Sequence, residues 1–175
     1  MLINLSELFS CQGKVKTYTQ NLEMEQFHGP VGDYEIVKKE PVVLRITHSG
    51  EKKITVEGEA SLTLRMPCDR CLEPVEVPFQ LSIEEELDMN QSDEERVEAL
   101  DEQPYISGYY LDVDQLVGNE LMLNLPMKVL CREDCKGICN QCGKNLNYGT
   151  CDCDHSVPDP RMAAIQDIFK QFKEV

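Results

Sequence analysis

The amino-acid sequence predicts an α+β protein with a mainly antiparallel β N-terminal part, barrel-like or sandwich-like, then a cysteine-rich zinc-knuckle segment and a C-terminal helix. Three observations predict this class: two long alternations of apolar and polar residues, two amphipathic helical patterns, and clustered cysteines. With 175 residues, 41% of them hydrophobic, the chain can bury a core. We expect one compact unit made of a β domain (1–87), an acidic loop (88–104), a helix packing on the sheet (105–130) and a zinc segment with a terminal helix (131–175).

The strongest strand pattern runs from Ile54 to Met66, where every even position is apolar or small and every odd position is polar. A period of two indicates a strand with one buried face. Gly58 predicts a bend or bulge within it. A second alternation runs from Val75 to Ile83, and its Pro78 predicts an edge position or a bulge because proline cannot donate a ladder hydrogen bond.

Further strands are predicted at 42–46, before a turn at Ser49 and Gly50, and more weakly at 15–24 and 34–37. One-sided strands joined by short connections favour an antiparallel sheet. The strands alone do not decide between a barrel, a sandwich and an open layer.

Two helices are predicted beyond the strands. Asp112 or Asp114 can cap a helix that runs to Asn124, since Pro126 bars its continuation. Asp159 can cap a last helix, which we expect to pack on its own domain. The apolar stripe of that last helix consists of Met162, Ile165, Ile168, Phe169 and Phe172.

The net charge of −15 argues against loose binding to bare nucleic acid, whose affinity comes mostly from lysine and arginine. Much of this charge lies in residues 84–102, which carry ten acids against one base. Such a run is usually solvated, but it can also attract a basic partner. The candidate partner-binding residues are Glu84, Glu85, Glu86, Asp93, Glu94, Glu95 and Glu98.

The nine cysteines predict metal binding rather than disulfides. The N-terminus lacks the pattern of an export signal and no apolar run is long enough to span a membrane, so we expect a cytoplasmic, reducing location. In that compartment, paired cysteines favour metal ligation. Six of the nine fall within residues 131–153.

Zinc prefers four thiolates supplied as two pairs, each pair on a tight turn. Cys68 and Cys71 form one pair, in the connection between the two strongest predicted strands. Cys139 and Cys142 form another pair, and Gly143 completes a zinc-ribbon-like knuckle there. We therefore predict two structural zinc ions, one held by Cys68, Cys71, Cys131 and Cys135, and the other by Cys139, Cys142, Cys151 and Cys153. Two alternatives stay open: residues 131–142 supplying all four ligands of one site, and His155 as a substitute ligand. Cys11 is left as an unpaired thiol.

The motifs predict no enzyme. The chain has no phosphate-binding glycine loop and no serine nucleophile motif. A site closed by four cysteines leaves no position for a substrate, so it is structural. Thiol exchange is disfavoured because Cys68 lies between two strands and not at a helix N-terminus.

The chain contains two cysteine motifs: Cys-x-Arg-Cys-Leu at residues 68–72, and a second that spans 125–147 and continues as Cys151-Asp152-Cys153. Both resemble motifs of the YceD family, the large ribosomal RNA subunit accumulation proteins. Asp159-Pro160-Arg161 is also similar to the family, whereas Asn140 stands where the family knuckle has proline. The resemblance implies a bacterial or plastid-type factor for the synthesis, processing or stability of large-subunit (23S) ribosomal RNA. It implies no enzymatic activity and assigns no RNA-contacting residue.

We therefore expect a non-catalytic factor in ribosome biogenesis. The acidic run suggests docking on a pre-large-subunit ribosomal particle or a basic ribosomal protein. One alternative is a zinc-stapled module whose knuckles contact RNA directly. A thiol oxidoreductase is the other.

Overall fold

The computed structural model of the chain describes residues 1–91, Glu95 and 103–153. These residues form two antiparallel sheets, one α-helix and one short 3₁₀ helix, which confirms the predicted α+β class with a cysteine-rich segment. The strands are β1 (Leu2–Asn4), β2 (Val15–Gln20), β3 (Gln26–His28), β4 (Asp33–Lys39), β5 (Val42–Gly50), β6 (Lys53–Pro67), β7 (Pro74–Asp88), β8 (Ile106–Ser107) and β9 (Tyr110–Asp112). The 3₁₀ helix covers Ser6–Ser10, and helix α1 covers Val113–Asn124.

The long hairpin β6–β7 is the centre of the larger sheet. Its register is continuous, from Lys53 opposite Asp88 to Pro67 opposite Pro74. The alternation predicted from the sequence is present on both strands, because apolar residues on one face are buried. The larger side chains buried on this face include Ile54, Val56, Leu62, Leu64, Phe79, Leu81, Ile83 and Leu87.

The other strands add to the far side of β6. β5 pairs with its first half and carries β2, while β4 pairs with its second half and carries β3. Among the strands described, β7 pairs with β6 alone, so the larger sheet is an open layer with β7 at an edge. Pro78 therefore lies on an edge strand, as its missing N–H predicts.

Gly58 has a different role from the predicted bend or bulge. The register runs through it without a shift, from Leu44 on β5 to Ile83 on β7. A Cβ at this position would lie 2.5 Å from the Val43 carbonyl oxygen and 2.6 Å from Cδ2 of Leu44. Glycine is thus needed because the backbones approach closely. The irregularities of register lie elsewhere, between residues 36 and 38 and between residues 48 and 50.

Replacing Gly58 with alanine is therefore expected to lower the free energy of unfolding by about 2 kcal/mol, the usual cost of an overpacked core. Urea unfolding of the purified chain measures it. Gly32→Ala is the matched control, since a Cβ there meets no atom within 4 Å. Equal stability of the two variants would contradict the close approach.

A second, three-stranded sheet joins the chain's first residues to its later part. β1 pairs with β9, with Leu2 opposite Asp112, and β8 pairs with β9. Asp112 caps α1 by accepting hydrogen bonds from the N–H groups of Asp114 and Gln115, which confirms the first of the two predicted caps, Asp112 and Asp114. The side chains that α1 buries are Val113, Leu116, Val117, Glu120 and Leu121.

One hydrophobic cluster extends from Ile3 to Val129 and unites both sheets with α1. A separate small cluster lies at the tip of the β6–β7 hairpin, where Cys68, Cys71 and Cys135 are buried together. No helix in the described residues is long and apolar enough to cross a membrane. The predicted C-terminal helix lies outside those residues.

Candidate metal centres

The first candidate metal centre lies at the tip of the β6–β7 hairpin. The Cys68 N–H donates to the Glu73 carbonyl, and the Leu72 N–H donates to the Cys68 carbonyl, both within 2.9 Å. Leu72 closes this turn in the left-handed region, at φ 64°. The turn places the sulfurs of Cys68 and Cys71 on the same side of the hairpin, towards the chain that follows α1.

That later chain supplies the other two sulfurs. The Cys68 and Cys135 sulfurs are 3.8 Å apart, and those of Cys71 and Cys131 are 3.5 Å apart. These separations are too long for disulfides, whose S–S length is about 2.05 Å. Tetrahedral ligands at a zinc–sulfur length of about 2.3 Å would lie about 3.8 Å apart. The four sulfurs, all within 4.8 Å of one another, therefore fit a tetrahedral ion.

Asp69 and Arg70, the two residues between the first pair of cysteines, hold the later chain in place. A carboxylate oxygen of Asp69 accepts from the Val129 N–H at 2.6 Å, and the Asp69 N–H donates to the Val129 carbonyl at 2.9 Å. The Arg70 guanidinium donates to the Cys135 carbonyl at 2.8 Å, and the Arg70 carbonyl accepts from the Ile138 N–H. Both residues are thus positioning residues of the first centre.

Hydrogen bonds to sulfur set the acidity of these thiols. Burial raises the pKa of the Cys68 thiol. Hydrogen bonds from the N–H groups of Arg70, Cys131 and Cys71 lower this pKa by more than burial raises it, to about 6. Burial and hydrogen bonds with neighbouring thiols such as Cys71 raise the pKa of Cys131 to about 12. Without a cation, the thiols thus resist full ionisation, because adjacent thiolates repel one another. A bound metal ion supplies the charge that allows all four to ionise.

The second candidate centre is local in sequence. The Gly143 N–H donates to the Cys139 carbonyl at 2.9 Å, with Gly143 at φ 74°, and the Cys139 N–H donates to the Lys144 carbonyl at 2.8 Å. Backbone N–H groups of Cys142 and Gln141 lower the pKa of the Cys139 thiol to about 6. The sulfurs within 4.8 Å of one another here belong to Cys139, Cys142, Cys151 and Cys153.

The structure thus brings the eight cysteines together in the two sets predicted from their spacing. The alternative single site within 131–142 does not occur, since its members divide between the two centres. His155 lies outside the described residues, and Cys11 is exposed and belongs to neither set. Soft thiolates in a closed tetrahedral set are compatible with zinc, and they leave no ligand position for a substrate.

The predicted acidic docking residues of β7 lie on two opposite faces of the strand. Glu84 and Glu86 are exposed on the outer face of β7, whereas Glu85 is half-buried on the opposite face. Glu57 and Glu59 of β6 lie on the same face as this outer pair, although they are outside the acidic run predicted from the sequence. Counting residue pairs outwards from the predicted hairpin turn would have placed Glu57 and Glu59 on this face. Glu95 is exposed, while Asp93, Glu94 and Glu98 lie outside the described residues.

This four-glutamate face, Glu57, Glu59, Glu84 and Glu86, contains a like-charge pair. Glu57 lies directly opposite Glu84, an arrangement that destabilises a sheet. Arg45 is the partner of Glu57 on β5, and it lines a groove of about 410 Å³ together with Val43, Glu59 and Ser82. The face therefore carries an excess of negative charge around a shallow groove.

Comparison with known proteins gives three informative relatives. The chain is 28% identical to YlbN of Bacillus subtilis (strain 168) over 70% of each protein. It is 29% identical to Rv2926c of Mycobacterium tuberculosis (strain ATCC 25618 / H37Rv) over 66% of the chain and 56% of that protein. A chloroplastic Arabidopsis thaliana protein, large ribosomal RNA subunit accumulation protein YCED homolog 1, is 27% identical over 37% of the chain and 20% of its own length.

No solved structure is significantly similar to this chain. The family model described as large ribosomal RNA subunit accumulation protein YceD matches residues 56–169, which include both cysteine sets. The family name implies a role in the accumulation of large-subunit ribosomal RNA. On this match, the chain belongs to the YceD family.

Proposed function

We propose that this protein is a non-catalytic, zinc-stabilised cytoplasmic factor that promotes the synthesis, processing or stability of large-subunit (23S) ribosomal RNA. Membership of the YceD family supports the pathway. The two closed four-sulfur centres support the structural role, because a metal ion with four thiolate ligands has no open position for catalysis. Zinc is the ion that this ligand set suits best.

The four-glutamate face is the observation that carries the docking part of the proposal. Within the described chain none of its carboxylates forms an ion pair, and the opposed pair of Glu57 and Glu84 costs stability while the face is free. A lysine- and arginine-rich partner would relieve this repulsion and would be attracted over a distance. Such a partner can be a basic ribosomal protein on a pre-large-subunit particle.

The test is a depletion and complementation experiment in the host. Depletion is expected to lower large-subunit relative to small-subunit ribosomal RNA, and the wild-type chain is expected to restore the ratio. Glutamine at all four positions of the four-glutamate face should fail to restore it and should remove the chain from pre-large-subunit particles. The matched control, which carries glutamine at four other exposed positions, should restore it: Glu25, Glu40, Glu51 and Glu133.

Three results would count against the proposal, at different levels. An unchanged ribosomal RNA ratio on depletion would overturn the family-based pathway. Restoration by the variant lacking the four-glutamate face, with unchanged particle binding, would overturn the docking role while leaving the pathway intact. Particle binding that does not weaken as salt rises would also contradict electrostatic docking.

Direct RNA binding is the second candidate function. Tyr148 is 77% exposed beside the first centre, and the nearby Glu73 carboxylate raises the pKa of its hydroxyl. An exposed aromatic ring near basic residues such as Arg132 is a platform on which an unpaired base can stack. This function is the second candidate because negative charge on the knuckles would repel RNA phosphates. Two zinc ions in eight thiolates add four negative charges there. Tight binding of the purified chain to large-subunit RNA fragments at physiological salt would reverse the ranking.

The thiol oxidoreductase alternative has less support. An attacking cysteine must be accessible as well as acidic. Cys68 has a lowered pKa, but its side chain is 0% exposed and lies within the first sulfur set. Reduction of a disulfide substrate that is lost in Cys68→Ser would restore this alternative.

A further inference from the structure

The loop that separates the two halves of the second centre also reaches the first centre. Asn147 lies between Cys142 and Cys151 in sequence, and its side-chain amide nitrogen is 3.3 Å from the Cys135 sulfur. Its side-chain oxygen accepts from the Lys136 N–H at 2.8 Å. Because that N–H can only donate, the amide oxygen must face it, and the NH₂ group must therefore face the sulfur.

The position of Asn147 is set by hydrogen bonds next to the second centre. The Leu146 N–H donates to the Gly137 carbonyl, and the Asn147 N–H donates to the side chain of Asn145, both at 2.9 Å. Asn145 itself forms a β-bridge with Ile138, one residue before the ligand Cys139. The loop is therefore fastened beside the second knuckle, and Asn147 is the side chain that it extends to the first sulfur set.

We propose that Asn147 couples the two centres, so that a zinc ion in the second centre raises the zinc affinity of the first. This inference rests on the zinc-binding part of the proposed function. A single ion bound by both Cys142 and Cys151 fixes both ends of the loop and thereby orders it. Asn147 is then already in place to donate to the Cys135 thiolate, so the first centre forms without the entropy cost of ordering that donor.

The coupling is measurable as a ratio of affinities. The product of the two zinc association constants of the full chain is divided by the product of the constants of two single-centre chains. Cys142→Ser/Cys151→Ser leaves the first centre, and Cys68→Ser/Cys71→Ser leaves the second. Independent centres give a ratio of one, whereas we expect about tenfold, the lower end of the effect of a hydrogen bond to a metal ligand.

Variants at Asn147 test whether this residue carries the coupling. Zinc affinities are measured by competition with a chromophoric chelator, with circular dichroism to verify that each variant is folded. Asn147→Ala in all three chains is expected to bring the ratio close to one. Asn147→Asp, which keeps the acceptor for Lys136 but loses the donor to sulfur, should do the same. Asn140→Ala is the control, because Asn140 is exposed on the other knuckle, and it should leave the ratio near ten.

The outcomes separate the inference from the function on which it rests. A wild-type chain that binds fewer than two zinc ions would overturn the zinc-binding part of the proposed function. Two ions with a ratio near one would overturn the coupling alone. A ratio that stays near ten in both Asn147 variants would overturn the role of this residue.

Discussion

Serine at both Cys68 and Cys71 is expected to remove one zinc ion and to lower the free energy of unfolding by about 4 kcal/mol. The first centre joins the hairpin tip to a segment 60 residues further along the chain, between Cys71 and Cys131. Linking such distant points restricts the unfolded chain, and the loop-entropy relation for a cross-link of this length gives about 4 kcal/mol. The loss is therefore larger than that of an ordinary surface substitution.

Urea unfolding and zinc analysis of the purified chain measure this effect. Cys11→Ser is the matched control, because Cys11 is exposed and belongs to neither sulfur set, so both stability and zinc content should stay at the wild-type level. Cys142→Ser/Cys151→Ser should also remove one zinc ion but cost less stability, since the second centre closes only a short loop. A Cys68→Ser/Cys71→Ser chain that retains two zinc ions would contradict the assignment of the first centre.

Local patterns in the sequence were sufficient to predict the centre of this fold. The alternation from Ile54 to Met66 predicts β6 because one face of a strand must be apolar when the other meets water. Asp112 and Asp114 predict the start of α1 to within two residues, because an aspartate side chain can accept from the first free N–H groups of a helix. Paired cysteine spacing predicts the two sulfur sets because a zinc site takes its four thiolates as two close pairs.

Features that depend on distant pairing could not be read from the sequence. β1 has three residues, too few to show a period, and its partner β9 begins more than 100 residues later. The role of Gly58 depends on how closely β5 approaches β6, which no local pattern reports. The grouping of Glu57 with Glu84 depends on hairpin register, and register also decides that Glu85 faces the opposite side.

The two residues between Cys68 and Cys71 likewise have roles that depend on distant partners. In the sequence, Asp69 and Arg70 are simply polar residues at a turn. In the structure, Asp69 forms two hydrogen bonds with the backbone of Val129, one through its carboxylate and one through its N–H. Arg70 donates to the Cys135 carbonyl. Their partners lie 60 and 65 residues away, so only the folded chain reveals that both act as positioning residues.

Asp69→Ala is expected to lower the free energy of unfolding by about 3 kcal/mol, the second largest effect. The lost hydrogen bond is charge-assisted, with 2.6 Å between the Asp69 carboxylate and the Val129 nitrogen. Val129 is only 6% exposed, so its N–H would stay without a partner in a buried place, which adds a desolvation cost. Because this connection leads directly into Cys131, zinc should also bind more weakly at the first centre.

Asp69→Asn separates the charge of this side chain from its shape. The asparagine oxygen can still accept from the Val129 N–H. We therefore expect the free energy of unfolding to fall by about 1 kcal/mol, the difference between a charge-assisted and a neutral hydrogen bond. Urea unfolding at saturating zinc ranks the three chains, and chelator competition follows the first centre. If alanine and asparagine cost the same, the charge of Asp69 does not contribute. If neither substitution changes stability, the connection to Val129 does not hold the segment that carries Cys131 and Cys135 against the hairpin.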